Sequence, residues 1–139
     1  MHLSKRILYA GWFVLVLAGC SKVKQADGPD LQISADTLIG RWRSVPKKDF
    51  DKHGGPPEND PFENYWVFKK DHSFESMEMF GNTPANWTVT EIGRNSLAFD
   101  LTVKNFPGRV KATFESKDKC LVHLEGGGPD DELVLIRIP

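Results

Sequence analysis

Ser96-Leu97-Ala98-Phe99-Asp100-Leu101-Thr102-Val103-Lys104 alternates without a break. Leu97, Phe99, Leu101 and Val103 share one face, and Ala98, Asp100, Thr102 and Lys104 share the other. Strict alternation over this length marks a strand with one side on a core and one in water. Downstream, Val110, Ala112 and Phe114 repeat it against Arg109, Lys111, Thr113 and Glu115, and Cys120, Val122 and Leu124 against His123 and Glu125. Upstream, strand-type runs bounded by turn residues cover 40–45, 65–69, 73–80 and 86–92, and downstream 109–116, 119–125 and 132–138. With 96–104 these are eight strands. Short links between alternating strands predict antiparallel neighbours in a meander, and nothing resembles a crossover helix. The expected fold is all-β, an eight-stranded antiparallel up-and-down barrel, because closure removes the edges that an open sheet exposes. An open β-sandwich with the same meander is the alternative.

The segment before the first strand is different in kind. Lys5 and Arg6 precede an apolar run over 7–17, too short for the ~20 residues that span a bilayer and so read as a signal peptide. It ends in Leu17-Ala18-Gly19-Cys20, which resembles the lipobox of bacterial lipoproteins. The resemblance implies cleavage between Gly19 and Cys20 and acylation of Cys20 with fatty acids of the palmitate type. Two or three acyl chains hold a protein on a bilayer where one binds only reversibly. Ser21 stands where an aspartate would, by the same resemblance, retain a lipoprotein at the inner membrane, so the expected location is the periplasmic face of the outer membrane. The division is then 1–19 signal peptide, 20–35 lipidated cysteine and flexible tether, and 36–139 barrel domain. Ser34 or Asp36 is expected to cap one helical turn at the domain's start.

Cleavage leaves 120 of the 139 residues and moves the formal charge from −1 to −3, since Lys5 and Arg6 go and no acid does. That length suits one small core. A weakly acidic balance argues against a nucleic-acid partner or a polybasic hold on anionic lipid. With Cys20 acylated, only Cys120 remains, and no intramolecular disulfide can form.

Within the barrel domain the order of residues resembles the lipocalin-like, or calycin, domains of bacterial lipoproteins. Gly40-x-Trp42 opens the first strand; Phe68-Lys69-Lys70-Asp71-His72-Ser73-Phe74 is similar to a hairpin common in such domains, with His72 where glycine is usual. Trp87-x-Val89, Leu97-x-Phe99 and Arg137 in the last strand follow. The resemblance spans about residues 38–138. It implies that Trp42 packs under Arg137, and it points to a barrel that binds a small apolar ligand or an envelope protein through its open mouth; no motif favours an enzyme, a cofactor or a metal, and none is expected. Trp66, Phe68, Trp87, Phe99 and Phe114 are the candidate cavity lining. An eight-stranded barrel either holds one small ligand or is filled by side chains, so a solid-core structural or inhibitory interaction module is the second reading.

Other chemistry is thinly marked. Cys120 and His123 lie three apart on a strand and point to opposite faces, which rules out a nucleophile–base pair. Residues 49–60 overlap the spacing of a calcium loop, but His53, Pro56 and Pro57 fit it poorly, and residues 126–131 lack the lysine of a phosphate loop. His72 is expected at positive φ in a tight turn. With two glycines, three prolines and alternating charges, 47–64 is expected to lack regular structure and to be dispensable for folding.

Overall fold

The computed structural model describes residues 30–59, 64–76, 81 and 83–139. The signal peptide, the Gly19–Cys20 cleavage and lipidation site and the tether up to residue 29 lie outside the described residues, as do 77–80 of the expected third strand.

A 3-10 turn, Ala35–Leu38, leads into β1 (Gly40–Pro46), α1 (Lys47–His53), β2 (Asn64–Phe68), β3 (Ser73–Glu75), β4 (Ala85–Ile92), β5 (Ser96–Val103), β6 (Phe106–Ser116), β7 (Lys119–Leu124) and β8 (Glu132–Ile138). Each strand pairs antiparallel with the next, and β1 pairs antiparallel with β8, so the sheet closes into an up-and-down barrel rather than an open sandwich. Ser34 stands at the N-cap of the 3-10 turn, its backbone N–H donating to Thr37 Oγ1 at 3.1 Å and its carbonyl accepting from the Thr37 N–H at 3.0 Å.

The alternation that predicts the strands also sorts their side chains. Leu97, Phe99 and Leu101 are buried while Ala98, Asp100 and Thr102 are half-exposed, and Val110, Ala112 and Phe114 repeat the arrangement on β6. Two tight turns explain the register. Lys104 and Asn105 both adopt positive φ (49° and 69°), forming the two-residue connection whose twist suits a hairpin. Val103 therefore pairs at once with Phe106, and β6 begins three residues before the alternating run that marks it in the sequence. His72, at φ 66°, closes the β2–β3 turn as expected, its backbone N–H donating to the Lys69 carbonyl.

Residues 47–64 depart from expectation. Pro46 ends β1, and the chain then forms two turns of helix, α1, closed by Gly54 in the left-handed conformation. Lys47 and Asp51, one turn apart, pair at 2.6 Å. The charges that read as loop are the solvent face of this short helix. Phe50 lies on its other face, and α1 packs against β1 and β8 on the barrel's outside. There Val45 and Val134, register partners pointing away from the interior, are 2% and 6% exposed. The helix is thus packed on the barrel, which corrects the expectation that this segment lacks regular structure over 47–53. It also replaces the first five positions of the overlapping calcium-loop spacing with helix.

Candidate functional site

Three places bring chemistry-bearing residues together: the closed end of the barrel, its interior, and a groove on its outer wall. The closed end is built on Gly40. Its φ is +137°, a region L side chains rarely adopt, and a Cβ there would lie 2.7 Å from Arg137 Nη1. That approach lets the Arg137 guanidinium lie over Trp42, 4.3 Å from the ring centroid. Arg137 Nη1 donates to the Ile39 carbonyl at 2.8 Å, Nη2 to the carbonyls of Thr37 and Lys117, and Nε pairs with Asp118 at 2.9 Å. Trp42 Nε1 donates to the Leu38 carbonyl at 2.8 Å. First strand, last strand and 3-10 turn are clasped by one residue.

The five residues expected to line a ligand cavity are all buried, and their rings pack against one another and against Trp42 and Phe74. Phe68 is the hub, with ring centroids 4.9 Å from Phe74, 5.4 Å from Phe99 and 5.5 Å from Trp87, all at steep angles. Trp66 meets Phe74 edge-on at 5.5 Å, and Phe114 meets Trp42 at 6.3 Å. Edge-to-face packing at these separations is the favoured aromatic geometry. Two inward-facing polar atoms of neighbouring strands, Ser44 Oγ and Trp66 Nε1, are buried without a hydrogen-bond partner.

The outer groove went unmarked in the sequence reading. It is a half-open depression of about 670 Å³ between the outward faces of β1, β2 and β3 and the chain entering β4. Arg41, Val67 and Glu75 are successive register partners and form one row across its floor. The Arg41 guanidinium lies 4.0 Å from the centre of the Tyr65 ring, and Glu75 is paired with Lys69. A signal was present: Arg41, Tyr65 and Val67 interleave with the core positions Trp42, Trp66 and Phe68, so an aromatic and a valine fall on the wet side.

Cys120 faces the interior, in register with Phe114 and Leu135, and burial pushes its thiol up to about 12. At neutral pH it carries almost no thiolate and is a packing residue. His123 lies on the opposite face, between Lys111 and Glu132, so the two form no dyad. His72 serves the backbone: its ring stacks 5.0 Å from that of Trp87, whose Nε1 donates to the Lys69 carbonyl. Among the described residues no group of three or more His, Cys, Asp or Glu side chains is placed to hold a metal.

No family model matches the chain, and no curated protein matches it. Among solved structures it is similar to Treponema pallidum pallilysin, with a TM-score of 0.48 and 14% identity over 74% of this chain and 82% of that one.

Proposed function

We propose that this chain is a non-enzymatic envelope lipoprotein, held by acyl chains on Cys20 at the periplasmic face of the outer membrane. Its barrel is a rigid interaction module that engages an envelope protein through the loop-bearing end and α1. One observation carries the choice between a hollow and a solid barrel: Trp66, Phe68, Trp87, Phe99 and Phe114 are engaged with one another and with Trp42 and Phe74, which leaves the interior rings in mutual contact. A ligand pocket needs roughly 300 Å³ or more of open space. The small apolar ligand keeps one point in its favour. Ser44 Oγ and Trp66 Nε1, on neighbouring strands, lack a hydrogen-bond partner among the described residues, and a ligand with a polar atom could satisfy either.

Native mass spectrometry of the mature chain, purified from its own envelope after delipidation, separates the two. The expected result is the bare chain or a complex with a second protein. A reproducible added mass of a few hundred daltons, lost on Trp66→Phe, would replace the module with the ligand reading. Anchoring is checked by metabolic labelling: fatty acid should enter the wild-type protein and not Cys20→Ala, and equal labelling would remove the lipoprotein assignment.

A further inference from the structure

Among the described residues, no helix or strand covers the wall into which the outer groove is cut. Arg41, Val67 and Glu75 stand side by side on β1, β2 and β3, with Tyr65 flanking the cation and Thr83 and Pro84 forming the far side. The charge arrangement across this floor is lopsided. Glu75 is neutralised by Lys69, and two strand spacings, roughly 9.5 Å, separate its position from Arg41. Arg41 has the Tyr65 ring against its face, and among the described residues no hydrogen bond or ion pair engages its donors. Stacking uses the face of a guanidinium and leaves its in-plane N–H groups free, the geometry that grips a planar or tetrahedral anion by two parallel hydrogen bonds. The ring also holds the side chain in place, so little rotamer freedom remains to be lost on binding. Beside this cation lies apolar surface: the Val67 side chain, the edge of Tyr65 and Pro84. The volume of this half-open groove, about 670 Å³, is within the range of small-molecule sites.

We propose that this groove binds a small amphiphile with a single anionic headgroup, the head held by the in-plane donors of Arg41 and the apolar body laid along Val67, Tyr65 and Pro84. The site lies outside the barrel and does not depend on whether the interior is filled. A carboxylate and a phosphate monoester present the same recognition chemistry, and the choice between them is read from the experiment.

The test is an NMR titration of the mature chain carrying Cys20→Ala, with dodecanoate, dodecyl phosphate and dodecan-1-ol below their micelle-forming concentrations. Either anion should shift the backbone amides of Arg41, Val67 and Glu75 saturably and leave the indole N–H signals of Trp42, Trp66 and Trp87 in place. The neutral alcohol should bind at least about fivefold more weakly, and Arg41→Gln should weaken the anion about tenfold, the scale of one charge-assisted contact. Lys111→Gln, which removes an equal charge from the outer face of β6, should leave affinity unchanged. Tighter binding of dodecanoate assigns a carboxylate, and tighter binding of dodecyl phosphate assigns a phosphate. Equal affinity for the alcohol, or no effect of Arg41→Gln, overturns the groove site while leaving the filled interior standing. Movement of the interior indoles in place of the groove amides overturns both.

Discussion

Arg137 over Trp42 and Arg41 over Tyr65 are nearly the same stack, at 4.3 Å and 4.0 Å from the ring centre. Their edges meet different surroundings. The donors of Arg137 close on three backbone carbonyls and Asp118, and its ring is fully buried. The donors of Arg41 open into a groove. A guanidinium on an aromatic face is therefore neither structural nor functional by itself, because stacking occupies only the face and the partner of the edge decides the role. At the closed end the edge holds three chain segments together. On the outer wall it remains available to an anion.

The largest effect expected at the clasp is that of its ring. Trp42→Ala should cost about 3–5 kcal/mol, as for other buried aromatics, read from the urea midpoint at constant m. A loss below about 1 kcal/mol would make the barrel's closure independent of the clasp. Arg137→Met keeps the stem and removes the donors, stranding carbonyls of Thr37 and Ile39, and should cost about 2–3 kcal/mol. Because the two residues touch, the double variant should be less destabilised than the sum of the singles. Strict additivity would mean that Arg137 works through its carbonyl partners alone.

The outer wall allows a second contrast, between a stretch that is covered and one that is open. Val45 and Val134 lie under α1, whereas Arg41, two residue pairs earlier on the same face of β1, is exposed. Replacing residues 47–53 with a Gly/Ser linker should uncover the two valines and cost up to about 3–6 kcal/mol, at about 1.5–3 kcal/mol for each side chain fully exposed. An unchanged midpoint would restore the dispensable loop that the composition of 47–64 suggests.

That segment marks the limit of what the sequence discloses. Strict alternation from Leu97 to Val103 and from Val110 to Phe114 is an unambiguous strand signal, because one face is wet and one is buried. Trp42 and Arg137 are 95 positions apart, and no local pattern connects them; the pairing was legible only through the resemblance. Residues 47–53 hold one apolar side chain, Phe50, so a helix lying on a barrel's outside has no hydrophobic period to display. The groove is hidden for a related reason. Its floor is the row Arg41–Val67–Glu75, drawn from three strands, and single-strand alternation reports only that each residue faces outward.

Arg41→Gln carries the smallest expected change in stability, and it is the sharpest test of the comparison. If the two stacks were energetically alike, the substitution would cost as much as Arg137→Met. An exposed cation over a tyrosine contributes only about 0.5–1 kcal/mol, and among the described residues no carbonyl or carboxylate loses a partner when the guanidinium is removed. The midpoint should therefore fall by no more than that amount. The missing stability should reappear as linkage: an anion bound at a hundredfold its dissociation constant adds about 2.7 kcal/mol to the folded state. Dodecanoate should then raise the wild-type midpoint and leave that of Arg41→Gln nearly in place. A loss above about 2 kcal/mol without ligand would mean that Arg41 holds the wall together as Arg137 holds the closed end, and that its edge is not free for a guest.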